Sequence, residues 1–232
     1  MVNDKLLRLA ATLVLIGGVL VTIVVMFLHP GGGTTYEEVL TGWAASGDWF
    51  AIHLAQFVGM AGILSGLVVL FFALNLAEGF PRWVGFFAVI SAGVALALDG
   101  VTFAVDGVAN KFAANALVSA PAAEKPVRFA SAQAVRWVEI GTSSYLDFTL
   151  GLALVLLAVV IVWTARVPRP IGYLLGLSGL FYFGQGWIIG TTGFSPATTV
   201  PTNAGYTLLF VSMIWLLIVV WLSKQSVQVA PA

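Results

Sequence analysis

Six long apolar stretches, separated by short polar connections, constrain this chain more than any other feature. They run roughly over 6–28, 50–75, 83–105, 144–165, 171–191 and 206–223. Each is near the roughly 20 residues that an α-helix needs to cross a bilayer's hydrocarbon core. Backbone polar groups in lipid must be bonded inside a helix or around a closed barrel, and the alternation that barrel strands need is absent. The fold class expected is therefore all-α, a polytopic transmembrane bundle of about six helices. Composition agrees: 60% of residues are hydrophobic and 9% charged, against about a quarter charged in a soluble domain. So few charges could not cover a water-soluble sphere. Residues 1–232 read as a single transmembrane domain.

Orientation follows from the basic residues, which favour the cytoplasmic side of short loops. A model with both termini in the cytoplasm puts Lys5, Arg8, Arg82, Arg166, Arg169 and Lys224 inside, and Lys111, Lys125, Arg128 and Arg136 outside. The tight basic turns Glu78–Arg82 and Arg166–Pro170 decide the choice. Of the acids, only Asp4 and Glu78 fall inside; Glu37, Glu38, Asp48, Asp99, Asp106, Glu124, Glu139 and Asp147 lie outside or in the outer half of a span. Trp43, Trp49, Trp137, Tyr145 and Tyr206 mark the outer interface, and Trp83, Trp163 and Trp221 the inner one. The location expected is the cell (plasma) membrane. Its lipids are the surrounding partner, with a homo-oligomer or a larger membrane complex open.

Several function classes are removed. Zero net charge gives no electrostatic case for nucleic acid. With no cysteine there are no disulfides, thiolate metal sites, iron–sulfur clusters or covalent haem attachment. The first apolar run is too long for a signal-peptide core, and no small-x-small cleavage site follows it. Gly31-Gly32-Gly33 is a flexible turn rather than a phosphate loop, since no Gly-Lys-Ser/Thr follows. After it, Thr34-Thr35-x-Glu37-Glu38 offers a cap for a short interfacial helix. Residues 106–120 and 122–143 read as helical extensions of the third and fourth spans on the outer side. Pro81-Arg82-Trp83-Val84-Gly85-Phe86 with Ser91 also matches Pro168-Arg169-Pro170-Ile171-Gly172-Tyr173 with Ser178, at an offset of 87 residues, as a parallel repeat would. Gly172-x-x-x-Gly176 is a formal dimerisation motif.

An ionisable residue inside a span costs roughly 2.5–3.5 kcal/mol to insert and marks a functional site by default. One turn below the outer boundary lie His53, Asp99 and Asp147, with Gln56 and Gln185 nearby. At the boundary lie His29, Asp106, Arg136 and Glu139. Asp99, Thr102, Asp106 and Asn110 share one helix face, as do Arg136, Glu139, Ser143 and Asp147. Two such stripes on consecutive helices should face each other, giving one polar patch in the outer half.

Four readings of the patch stand open. The first is a structural hydrogen-bonded and ion-paired network, with Arg136 and Lys111 neutralising the acids, in a structural protein or accessory subunit. The second is a metal-dependent or acid–base membrane enzyme acting on a lipid-soluble substrate. There His29 and His53 would bind a divalent metal such as zinc, Asp99, Asp147 and Glu139 would be catalytic, and Gln56, Asp106, Arg136 and Gln185 would contact substrate. No H-E-x-x-H motif accompanies it. The third is a b-type haem between His29 and His53. The fourth is a proton-coupled carrier loading protons on Asp99 or Asp147, against which stand the apolar inner halves of the spans.

His29-Pro30, Trp49 with His53-Leu54, Leu98-Asp99-Gly100, Arg136-Trp137-x-Glu139 and Gly193-Phe194-Ser195 together carry a resemblance. With these motifs the chain resembles a family of uncharacterised six-helix integral membrane proteins of bacteria and archaea. The resemblance spans most of the chain and implies a six-helix fold, but no activity.

Overall fold

The computed structural model describes residues 2–29 and 35–227. The turn expected at Gly31–Gly33 and the Lys224 side chain lie outside what is described. Helix α1 (Asp4–Ile23) starts where the Asn3 side chain accepts from Leu6 N–H, and it continues through a π-helical turn, Val24–Leu28. The short α2 (Tyr36–Ala45) opens on the expected cap, a reciprocal box between Thr35 and Glu38. Helix α3 spans Trp49–Ala73. Next, α4 (Phe80–Ala104) begins after Gly79 at φ +120°, with proline in its first turn. It runs through a second π turn, Val105–Asn110, into α5 (Lys111–Val118). Helix α6 (Lys125–Thr164) has 40 residues, hence about 60 Å, roughly twice the hydrocarbon thickness. Nearly half of it, 125–143, is the helical extension expected at 122–143. Helices α7 (Arg169–Thr192) and α8 (Thr199–Val227) complete the chain. The described residues contain no strand.

The six long helices form a closed ring in the order α1, α3, α4, α6, α7, α8, with α8 packing back on α1. Each is a sequence neighbour of the next, as short connections require. Inside lies an apolar core including Leu7, Val14, Leu64, Leu67, Leu150, Leu154, Leu175 and Leu216. Lipid is as apolar as leucine, so close packing and interhelical hydrogen bonds hold such a ring. A methyl group on Gly151 would sit 2.7 Å from the Gly179 carbonyl, and one on Gly179 equally close to that of Gly151, so here α6 and α7 touch backbone to backbone. Hydroxyls fasten the other joints. Ser91 donates to Thr149 O and Ser178 to Gly205 O, each at 2.7 Å. These two serines, equivalent in the repeat, thus do the same work on the next helix of the ring. Gly172 and Gly176 pack against Ala158 of α6, within the chain.

The beginning of α1 and the end of α8 lie together: Arg8 donates to Val220 O and stacks on Trp221, and Asn3 N–H bonds Ala73 O. At the opposite, distal end, α2 packs on α5 in a second small core of Leu40, Trp43, Trp49, Ala114, Leu117 and Ala132.

The expected bundle of about six long helices is present. Among the described residues five segments are long and apolar enough to cross a membrane: Asp4–Leu28, Trp49–Ala73, Phe80–Val118, Lys125–Thr164 and Pro196–Leu222. The sixth stretch, 171–191, forms α7, long enough at 24 residues but diluted by glycines, tyrosines and Gln185. One expectation is corrected: Lys111 does not neutralise an acid. Its ammonium donates to the carbonyls of Trp43, Ala44 and Ser46 at 2.6–2.9 Å, closing the C-terminal end of α2, where a cation is favoured.

Candidate functional site

Three ligand-bearing side chains meet at the distal end. His29 directly follows the π turn of α1, His53 sits in the second turn of α3, and Asp106 lies in the π turn of α4. One ligand atom from each lies within 4.8 Å of the other two. π turns widen a helix by one residue and recur at functional sites. Here one precedes His29 and the other carries Asp106. Gly107 lets α4 approach, because a Cβ there would be 2.7 Å from His53 Cβ.

The surroundings orient the imidazole. His53 Nδ1 is 2.7 Å from Trp49 O, within its own helix. In the neutral imidazole an N–H at Nδ1 donating to that carbonyl leaves the lone pair on Nε2, the arrangement that prepares a histidine to ligate metal, whereas a protonated ring would pair with Asp106 instead. Nε2 lies 3.0 Å from Asp106 Oδ2, within ion-pair distance, and no other described group bonds it. A lone pair and a carboxylate oxygen at this distance repel unless a proton or cation lies between them. His53 is 1% exposed, so water screens little of that repulsion. The Trp49 ring packs 4.2 Å from the His53 ring and 5.4 Å from that of His29. Its Nε1–H donates to Asp106 O at 2.8 Å, which holds the π turn.

Hydrogen bonds continue outward from Asp106. Asn110 Nδ2 donates to Asp106 Oδ1 at 3.2 Å and to Glu139 Oε2 at 2.5 Å. Arg136 Nη1 meets both Glu139 oxygens at 2.5–2.6 Å, while its guanidinium lies against Trp43 and Phe194. Tyr36 donates to Ala132 O, and desolvation pushes its phenol up to about 12, so it stays a proton donor.

Of the residues expected at the site, His29, His53, Asp106, Glu139 and Arg136 are brought together. Gln56, Asp99, Asp147 and Gln185 are not joined to this chain of contacts. Asp99 and Asp147 are buried, between the Ser91–Thr149 and Asn110–Glu139 contacts of α4 with α6. Both oxygens of Asp99, Asp147 Oδ2, and the side-chain carbonyls of Gln56 and Gln185 have no hydrogen-bond partner among the described residues. The polar stripe on α6 does not face α4 throughout: Asp147 abuts Gly186 of α7. Eight residues beyond Glu139 a helix of 3.6 residues per turn has rotated by about 80°. Asn110 lies on the polar face that the spacing picks out but has no expected role at the site, and Trp49 is expected only as an interface residue; the structure makes both direct partners of Asp106.

No protein-family model, curated protein or solved structure matches this chain.

Proposed function

We propose that this is a membrane metalloprotein that holds a divalent cation, zinc best fitting the donors, at His29, His53 and Asp106. The observation that carries the reading is the buried His53 imidazole, its Nδ1 2.7 Å from Trp49 O and its Nε2 3.0 Å from an Asp106 carboxylate oxygen, with His29 beside it. Two imidazoles and one carboxylate suit zinc and its neighbours. Three protein ligands with open positions are the pattern of catalytic rather than structural zinc. A metal so held would act as a Lewis acid and lower the pKa of a bound water, the chemistry of a metal-dependent membrane hydrolase.

Glu139 takes a different role from the catalytic one expected for it. Both of its oxygens are engaged, so it acts through Asn110 to hold Asp106. Asp99 and Asp147, buried deeper, and Gln56 and Gln185 remain candidates for proton or substrate contacts. Haem suits the site less well. Trp49 packs on both imidazoles and Asp106 reaches His53, leaving no slot for a flat macrocycle. The purely structural reading draws support from the Arg136–Glu139–Asn110 network, and it stands if no metal binds.

The distal end is the outer one in this reading, with both termini cytoplasmic and the chain a multi-pass protein of the plasma membrane. The test is metal analysis of purified protein after dialysis against zinc, then cobalt. One zinc per chain is expected, with a cobalt absorption spectrum that His53→Ala abolishes. Wild-type protein that retains no metal overturns the proposal.

A further inference from the structure

Beside the three-ligand site, α3 and α4 leave an open groove of about 210 Å³. Phe50, Leu54, Phe57, Phe103 and Val108 form its apolar sides, and Gly100, Ala104 and Gly107 its floor on α4. Phe50 and Leu54 are 59% and 48% exposed, whereas His53 at the inner end is 1% exposed. The groove therefore leads from the bundle's lipid-facing surface to the buried imidazole, whose Nε2 lies 3.0 Å from Asp106 Oδ2.

Both walls belong to segments long and apolar enough to cross a membrane, and on the proposed reading the groove opens toward lipid just inside the outer boundary. The small residues are what open the space. At Gly100 a Cβ would meet only Phe57, at an ordinary 3.6 Å, and a larger side chain would project into the groove. At ~30 Å³ for each water-sized group, the volume holds about seven such groups in a row, a short run of methylenes rather than a ring system.

We infer that the groove is a lateral port that seats the acyl chain of a membrane lipid, with the lipid's oxygen-bearing head turned toward His53 and Asp106. This names the substrate class of the metal site and rests on that reading. An apolar chain gains from the groove no more than lipid already offers, so affinity comes from the head at the cation and the groove supplies alignment.

The test uses full-length protein in phosphatidylcholine nanodiscs doped with a fatty acid bearing a mid-chain diazirine. After irradiation, adducts are mapped by mass spectrometry. Phe57 and Phe103 should be labelled several-fold above Ile214 and Trp215, which face lipid on α8. Gly100→Trp, which fills the groove, should return that labelling to the α8 level while zinc content stays at the wild-type value. Ala104→Phe should do the same and guards against a folding defect peculiar to one variant. Uniform labelling of all lipid-facing helices, or labelling unchanged in both filled variants, overturns the port even where zinc is bound. Selective labelling by a protein that binds no zinc retains the port and overturns the metal site instead.

Discussion

His53 Nε2 and Asp106 Oδ2 lie 3.0 Å apart on neighbouring helices, with the other nitrogen of the same imidazole bonded to the Trp49 carbonyl. A bond within α3 orients the imidazole, and a π turn in another helix delivers the carboxylate.

Asp106→Asn keeps the shape of the side chain but removes the anionic ligand, so zinc should be lost from the purified protein. Asn110→Ala leaves all three ligands and removes only the group that orients Asp106. Partners of this kind are worth about 10–100-fold in metal affinity. Competition against a chelator of known strength should therefore rank wild type, Asn110→Ala and Asp106→Asn in that order.

Gly107→Ala would drive a methyl group to 2.7 Å from His53 Cβ. Overpacking of this kind costs roughly 1–3 kcal/mol, and relief requires the π turn or the imidazole to move. Thermal unfolding in detergent should show the loss, and zinc affinity should fall with it. Gly100→Ala, seven residues earlier, should leave both unchanged.

Glu139 is 3% exposed and relies on Arg136 and Asn110. Removing one partner of a buried ion pair strands the other, at about 3–5 kcal/mol, whereas replacing both with apolar residues is often neutral. Arg136→Met alone should therefore destabilise more than Arg136→Met combined with Glu139→Leu. A double variant as unstable as the sum of its singles would show that the two side chains are not energetically coupled.

Lys111→Met should free α2 while leaving the ring intact. Three carbonyls lose a charged donor, each such bond being worth about 1.5–3 kcal/mol. Hydrogen exchange should rise across Tyr36–Ala45 and stay at wild-type values in the core of α6.

The absence of cysteine makes the topology directly testable. Thr41→Cys, on α2, should react with a membrane-impermeant maleimide on intact cells. Ala77→Cys, in the turn after α3, should react only after permeabilisation. The reverse pattern would place the metal site on the cytoplasmic side.

The membrane-embedded helical architecture was legible in the residues themselves. Long apolar runs leave the backbone no alternative in lipid, and proline and the Thr35–Glu38 box mark helix starts by local geometry. The gathering of polar groups at one end was legible too, because charge in a span must turn inward. What the sequence could not decide was which of those groups touch. Asp99 and Asp147 read as strongly as His53 did, yet the structure leaves them outside the ligand cluster. Asp106 read as a boundary residue, and a π turn carries it to the imidazole. A helical stripe fixes a residue's face only to within the drift of a 3.6-residue period, and one inserted residue shifts everything after it by about 100°. Contact between helices is set by close backbone approaches such as Gly107 against His53, and those exist only once the ring has closed.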